Sequence, residues 1–160
     1  MISRTLTITD LCQVTGYTRY QLRGLLDVVL PEKRSKGPRV ARQFSTQELL
    51  VIATMSDLET RLGIKRGHIA LISRRLSQVL SGPRLVNRQA RLVITFSPPS
   101  VLYMSAVAPA NDAVVLSLGP IFERVDRHIT EGPLPMTQAQ LNFRPTSVTG
   151  PRARSQLYRG

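Results

Sequence analysis

Four residues close to position 20 carry side chains that suit contact with a phosphodiester backbone or with base edges. Thr18 supplies a hydroxyl, Arg19 and Arg23 supply guanidinium groups, and Tyr20 supplies a phenol. Guanidinium groups bond phosphate oxygens, which positions a protein on a duplex, and also bond guanine O6 and N7, which discriminates between bases. Residues 19, 20 and 23 share one side of a helix, so their spacing predicts a single contact surface.

A second group of cations follows between Pro31 and Phe44, a stretch with five Lys or Arg residues and one Glu. Gly37-Pro38 is a turn signal between two short extended arms. The stretch therefore predicts a two-stranded hairpin with a cationic tip, lying along a nucleic-acid backbone or minor groove. The cations concerned are Lys33, Arg34, Lys36, Arg39 and Arg42.

The charge of the chain favours a polyanionic partner. Its 160 residues include 22 Lys or Arg and 10 Asp or Glu, a net charge of +12. Residues 1–82 hold 13 cations and 6 anions, residues 83–132 hold 5 and 4, and residues 133–160 hold 4 and none. So basic a small protein most often binds nucleic acid, and less often an acidic lipid surface or an acidic protein. We expect residues 1–82 and 133–160 to supply the positive charge that attracts such a partner.

Other chemistries find little support in the sequence. A single cysteine, Cys12, excludes an intrachain disulfide framework, and two histidines, His68 and His128, are too few for most zinc or histidine-based catalytic sites. We therefore predict no catalytic residues, no metal ligands and no cofactor, and an enzyme is the least supported class. Cys12 is expected to be a small buried residue, and both histidines are expected at the surface or an interface.

The location of the protein is predicted from its apolar runs. No run approaches the roughly 18 residues that a membrane helix needs. The residues after Met1 lack an apolar signal core, so export is not expected. These observations predict a cytoplasmic, nucleoid-associated protein without a membrane partner.

Three capping sequences predict the helices that position these residues. In each, a hydroxyl residue is followed three positions later by Asp, Gln or Glu: Thr7 to Asp10, Thr18 to Gln21, and Ser45 to Glu48. The predicted helices are Ile8–Thr15 ending at Gly16, Arg19–Val28, Thr46–Leu62 ending at Gly63, and Lys65–Ser81. Since only Gly16 and Tyr17 separate the first helix from Thr18, the first two helices predict a helix-turn-helix.

The pattern becomes β-rich after Gly82-Pro83. Strands are predicted at Arg91–Phe96, Val101–Val107 and Ala113–Leu118, and a helix at Ile121–Ile129. The fold class predicted is therefore mainly α with an α+β C-terminal part. Its divisions are a winged helix-turn-helix domain over residues 1–82, a small β-β-β-α dimerisation or effector unit over 83–132, and a basic tail rich in Pro, Gly and Ser over 133–160.

The order of helix, turn, helix, cationic hairpin and helix resembles the winged helix-turn-helix of the MerR family of bacterial transcription regulators. The segments that carry the resemblance are Thr7-Ile8-Thr9-Asp10-Leu11, Thr15-Gly16-Tyr17-Thr18, Leu22-Arg23, Leu30-Pro31, Gly37-Pro38-Arg39, Phe44-Ser45, Glu48-Leu49 and Leu62-Gly63. They cover residues 7–63. The chain differs from the family at Gly24-Leu25-Leu26, where two aromatics and an acid are usual, and after Gly82-Pro83, where sensor-type members carry a long coiled coil.

The resemblance implies a sequence-specific regulator from a bacterium, a phage or a mobile element. It would bind double-stranded DNA as a homodimer, and RNA polymerase is a further candidate partner. One alternative is an excisionase-like or architectural factor that bends DNA. The other is an interaction module whose basic surface binds an acidic protein.

Overall fold

The computed structural model describes residues 5–30, 41–82, 87–104 and 112–132. These residues form five helices and one three-stranded antiparallel sheet, so the protein is mainly helical with an α+β C-terminal part, as the sequence predicts. The elements in chain order are α1 (Ile8–Thr15), α2 (Arg19–Val29), α3 (Thr46–Thr60), α4 (Arg66–Ser81), β1 (Arg91–Phe96), β2 (Pro99–Met104), β3 (Val114–Ser117) and α5 (Gly119–Glu131).

All three predicted capping boxes are present. The backbone amide of Thr7 donates to Asp10 Oδ2 over 2.8 Å. The hydroxyls of Thr18 and Ser45 accept from the third amide of their helices, over 3.2 and 3.1 Å. Each box satisfies amides that have no carbonyl partner inside the helix. Gly16 ends α1 with φ at +74°, a conformation that favours glycine because it has no Cβ.

Three predicted helix ends are displaced by one or two residues. α2 extends to Val29, α4 begins at Arg66, and α3 ends at Thr60. The amide of Ile64 bonds the carbonyl of Leu58 over 3.0 Å, which reverses the chain before Leu62 can complete another turn. Leu62, the predicted last residue of this helix, lies beyond the end of α3 and is 41% exposed.

α3 is the central helix, because ten consecutive residues from Leu49 to Leu58 are buried. It packs against α1, α4 and α5, which leaves it no broad solvent face. Its buried hydroxyls bond the helix backbone: Thr54 to the carbonyl of Leu50 and Ser56 to that of Ala53, each over 2.8 Å. These bonds offset the cost of burying polar groups.

The sheet has the strand order β2-β1-β3, and both pairings are antiparallel. β2 begins at Pro99 rather than Val101 and pairs through Met104. Proline is tolerated there because an edge strand has an unpaired side. β3 is shorter than predicted, and residues 105–107 of the predicted second strand lie outside the described residues.

α5 is longer than predicted at both ends, running from Gly119 to Glu131. Pro120 fits in its first turn, where the missing amide hydrogen has no helical partner to lose.

One hydrophobic core joins the helical and the α+β parts. The sheet packs on α4, and α5 packs on α1 and α3. The buried cluster contains Leu11 and Leu22 from the first helices, Leu92 and Leu116 from the sheet, and Ile121 from α5. The predicted division near residue 82 therefore separates two kinds of secondary structure that share a core. The predicted tail, 133–160, lies outside the described residues.

Candidate nucleic-acid interface

α2 has one buried face and one exposed face. Its buried residues are Leu22, Leu25, Leu26 and Val29. Arg19, Tyr20 and Arg23 are exposed on the remaining surface, and the Tyr20 side chain is 87% exposed. The three residues chosen from the sequence therefore do share a solvent-facing side of one helix.

Two of the predicted contact residues already make hydrogen bonds within the protein. The hydroxyl of Thr18 accepts from the amide of Gln21 and lies 3.2 Å from Gln21 Oε1. A terminal nitrogen of Arg19 donates to Thr9 Oγ1 over 3.2 Å. Arg19 therefore spans from α2 to the first turn of α1, and the half-buried Thr9 orients its guanidinium.

The predicted hairpin falls mostly outside the described residues, which include neither Lys33, Arg34, Lys36 nor Arg39. Arg42 is described, and its guanidinium lies 3.8 Å from Asp27 Oδ1 of α2 with the side chain 19% exposed. Two backbone hydrogen bonds between Leu6 and Phe44, of 3.0 and 3.2 Å, join the end of this stretch to the segment before α1. These contacts fix the residues that follow the predicted hairpin beside α2 and beside the segment that precedes α1.

A polar cluster that the sequence analysis missed attaches α2 to α3 and α4. The Tyr17 hydroxyl donates to Glu59 Oε2 over 2.5 Å. Arg66 Nε donates to Glu59 Oε1 over 2.8 Å, and a terminal nitrogen of Arg66 donates to the carbonyl of Gln21 over 3.2 Å. Burial of the Tyr17 hydroxyl raises its pKa, and so do its hydrogen bond to Glu59 and the negative charge of Glu59. The only signal in the sequence is Tyr17 itself, since a buried tyrosine hydroxyl usually has a partner.

α5 is attached to the helical part by a further ion pair, from Arg124, and by a polar contact of His128. The buried carboxylate of Asp57 accepts from Arg124 over 2.8 Å and from Arg61 over 3.1 Å. His128 Nε2 lies 2.9 Å from Asp10 Oδ1. The surface or interface position predicted for His128 is wrong, because the side chain is buried where α5 crosses α1.

The other histidine and the cysteine are less buried. His68 is exposed, as predicted, and its ring centroid lies 5.5 Å from that of Phe96. Cys12 is half-buried rather than fully buried. Burial raises the pKa of its thiol, and the nearby charge of Arg19 opposes the shift.

A cavity of about 670 Å³ lies between the start of α3, the end of α4 and α5. Its wall includes the apolar side chains of Leu50, Leu80, Phe122 and Ile129, and Gln47, Arg88 and Glu123 add polar groups. The volume is in the range of small-ligand sites. Within the described ranges, no group of three or more His, Cys, Asp or Glu side chains is arranged to hold a metal ion.

Comparison of the chain with protein-family models, curated proteins and solved structures finds no match. In the part of the chain that the structure describes, no helix combines the length and apolar character required to cross a bilayer.

Proposed function

We propose that this protein binds double-stranded DNA through α2, as the recognition helix of a winged helix-turn-helix domain. The observation that carries the proposal is the exposed face of α2, where Arg19, Tyr20 and Arg23 stand opposite a fully apolar buried face. α1 and α2 are joined by only three residues, Gly16 to Thr18. This short connection suits the helix-turn-helix geometry, in which the second helix enters the major groove.

In the proposed complex, the first turn of α2 meets the base edges. Arg19 and Tyr20 contact bases, and Arg23, one turn further on, binds a backbone phosphate. Arg19 exchanges its hydrogen bond to the Thr9 hydroxyl for one to a base acceptor. Thr18, together with the amides of the first turn of α2, holds a phosphate oxygen. The predicted hairpin then follows the adjacent backbone or minor groove.

We further propose that the protein is a MerR-like transcription regulator that acts as a homodimer. Two copies would present two recognition helices about one DNA turn apart and read an inverted repeat. RNA polymerase is a candidate partner of the bound dimer. An excisionase-like factor is the second candidate. The α+β part, which shares the core of the helical part, favours a regulator because excisionase-like factors usually end soon after the winged helix.

The experiment is selection of bound DNA from genomic fragments, followed by motif discovery and footprinting. A symmetric pair of half-sites in promoters supports the regulator, whereas phased direct repeats at a recombination site support the excisionase-like factor. Arg19→Ala should relax the recovered motif, and Arg23→Ala should weaken all sites alike. If neither substitution changes the motif or the affinity, α2 is not the recognition helix.

A further inference from the structure

Gly24 occupies the middle of α2, and Arg66 of α4 fills the space beside it. A Cβ built at position 24 would lie 2.6 Å from Arg66 Nη1. Gly24 follows Arg23 on α2 and lies one turn beyond Tyr20. The guanidinium of Arg66 therefore takes the place of a side chain at position 24, next to the proposed DNA-binding face.

Arg66 is held in this place by hydrogen bonds on one side of its guanidinium. Nε bonds Glu59, Nη2 bonds the carbonyl of Gln21, and Glu59 is itself fixed by the hydroxyl of Tyr17. An arginine has five N–H donors, and the bonds to Glu59 and Gln21 occupy two of them. The Arg66 side chain is 33% exposed, so part of it is accessible to a partner outside the protein.

We propose that Arg66 is a further DNA-contacting residue, which binds a backbone phosphate beside α2 and is positioned by the Tyr17–Glu59 pair. The inference rests on the proposed function. A phosphate is favoured over a base because the guanidinium lies beside Gly24, beyond the first turn of α2 that is proposed to meet the base edges. Gly24 directly follows Arg23, which is itself proposed to bind a backbone phosphate.

The role also accounts for glycine at position 24. Glycine inside a helix lowers its stability relative to alanine. An alanine here would displace the far end of the flexible Arg66 side chain without touching the backbone around it. Gly24→Ala is therefore a variant that moves the guanidinium while the charge of the chain and the core stay unchanged.

The experiment titrates the full-length protein with the duplex recovered by selection, across a range of salt concentrations. Arg66→Met removes the charge and keeps the apolar stem, and Arg91→Met, at an exposed position in β1, is the matched control. Arg66→Met should weaken binding roughly 5- to 10-fold on all duplexes alike and reduce the magnitude of the log–log salt slope by about 1. Arg91→Met should change the affinity and the salt slope by much less.

Gly24→Ala separates a DNA contact from a purely structural role. We expect weaker binding together with a melting temperature equal to or above that of the unaltered protein. The inference is overturned if Arg66→Met matches Arg91→Met in affinity and slope, or, where Arg66→Met fails to fold, if Gly24→Ala binds as the unaltered protein does. Arg23→Ala keeps the two proposals apart. If Arg23→Ala weakens DNA binding and Arg66→Met does not, only the inference about Arg66 is refuted. If neither substitution weakens binding, α2 is not the recognition helix.

Discussion

His128 on α5 and Asp10 on α1 are joined by a contact of 2.9 Å between Nε2 and Oδ1, although 118 residues separate them in the sequence. Both side chains are 7% exposed. Asp10 Oδ2 also accepts the backbone amide of Thr7, so one carboxylate caps α1 and binds α5. The α+β part is thus attached directly to the helix that precedes the proposed recognition helix.

Replacing His128 by alanine should lower the free energy of unfolding by about 1–3 kcal/mol, because the buried Asp10 carboxylate loses its contact with His128. His68→Ala is the matched control, since His68 is exposed and should change stability by no more than about 0.5 kcal/mol. Denaturant unfolding at neutral pH measures both. Equal effects of the two substitutions would mean that the Asp10 contact contributes nothing to stability.

Asp57 is expected to be sensitive to the loss of its negative charge. Its buried side chain binds Arg124 and Arg61, and Asp57→Asn should cost about 1–3 kcal/mol because the two cations keep only a neutral acceptor. Arg61→Ala should cost under about 1 kcal/mol, because the Arg61 side chain is 53% exposed. The same unfolding experiment compares them, and a larger effect for Arg61→Ala would contradict this ranking.

Gly16→Ala should lower the stability of the protein only because of the backbone conformation at this position. Its φ is +74°, and a Cβ there would meet no atom within 4 Å, so the only cost is the left-handed conformation, about 1–2 kcal/mol. Gly67 lies in the first turn of α4 with equally open space, and Gly67→Ala should be neutral or stabilising. Thermal unfolding of the two variants tests the contrast, which fails if both shift the melting temperature in the same direction and by the same amount.

The Cys12 thiol should react slowly at neutral pH. Burial raises its pKa, so less thiolate is present at any given pH than in an unstructured peptide. The rate of alkylation, followed from pH 7 to 10, should rise with a midpoint above that of the peptide. Arg19→Ala should move the midpoint further up, because the charge of Arg19 lowers this pKa. A midpoint below that of the peptide would refute the expectation.

The local features of the fold were predictable from the sequence because neighbouring residues determine them. Three capping boxes and Gly16 place the starts of α1, α2 and α3 and the end of α1 correctly. The exposed face of α2 follows from its apolar spacing in the same way.

No local sequence pattern predicts the contacts between distant segments of the chain. Tyr17 and Glu59 are 42 residues apart, and Asp10 and His128 are still further separated. Arg66 reads as an ordinary surface cation until α4 is packed beside Gly24. The burial of Leu49 to Leu58 on all sides of α3 likewise depends on three neighbouring helices and not on the periodicity of α3 itself.

The central claim, that α2 binds duplex DNA, is tested most directly by titrating the selected duplex and a scrambled one at increasing salt concentrations. If a dimer neutralises about six phosphates, the log of the affinity should fall against the log of the salt concentration with a slope of about −5. Arg23→Ala should weaken binding to the selected duplex, and Arg91→Ala should have little effect. Affinity that depends on neither salt nor sequence, or an Arg23→Ala protein that binds like the unaltered one, would contradict the claim.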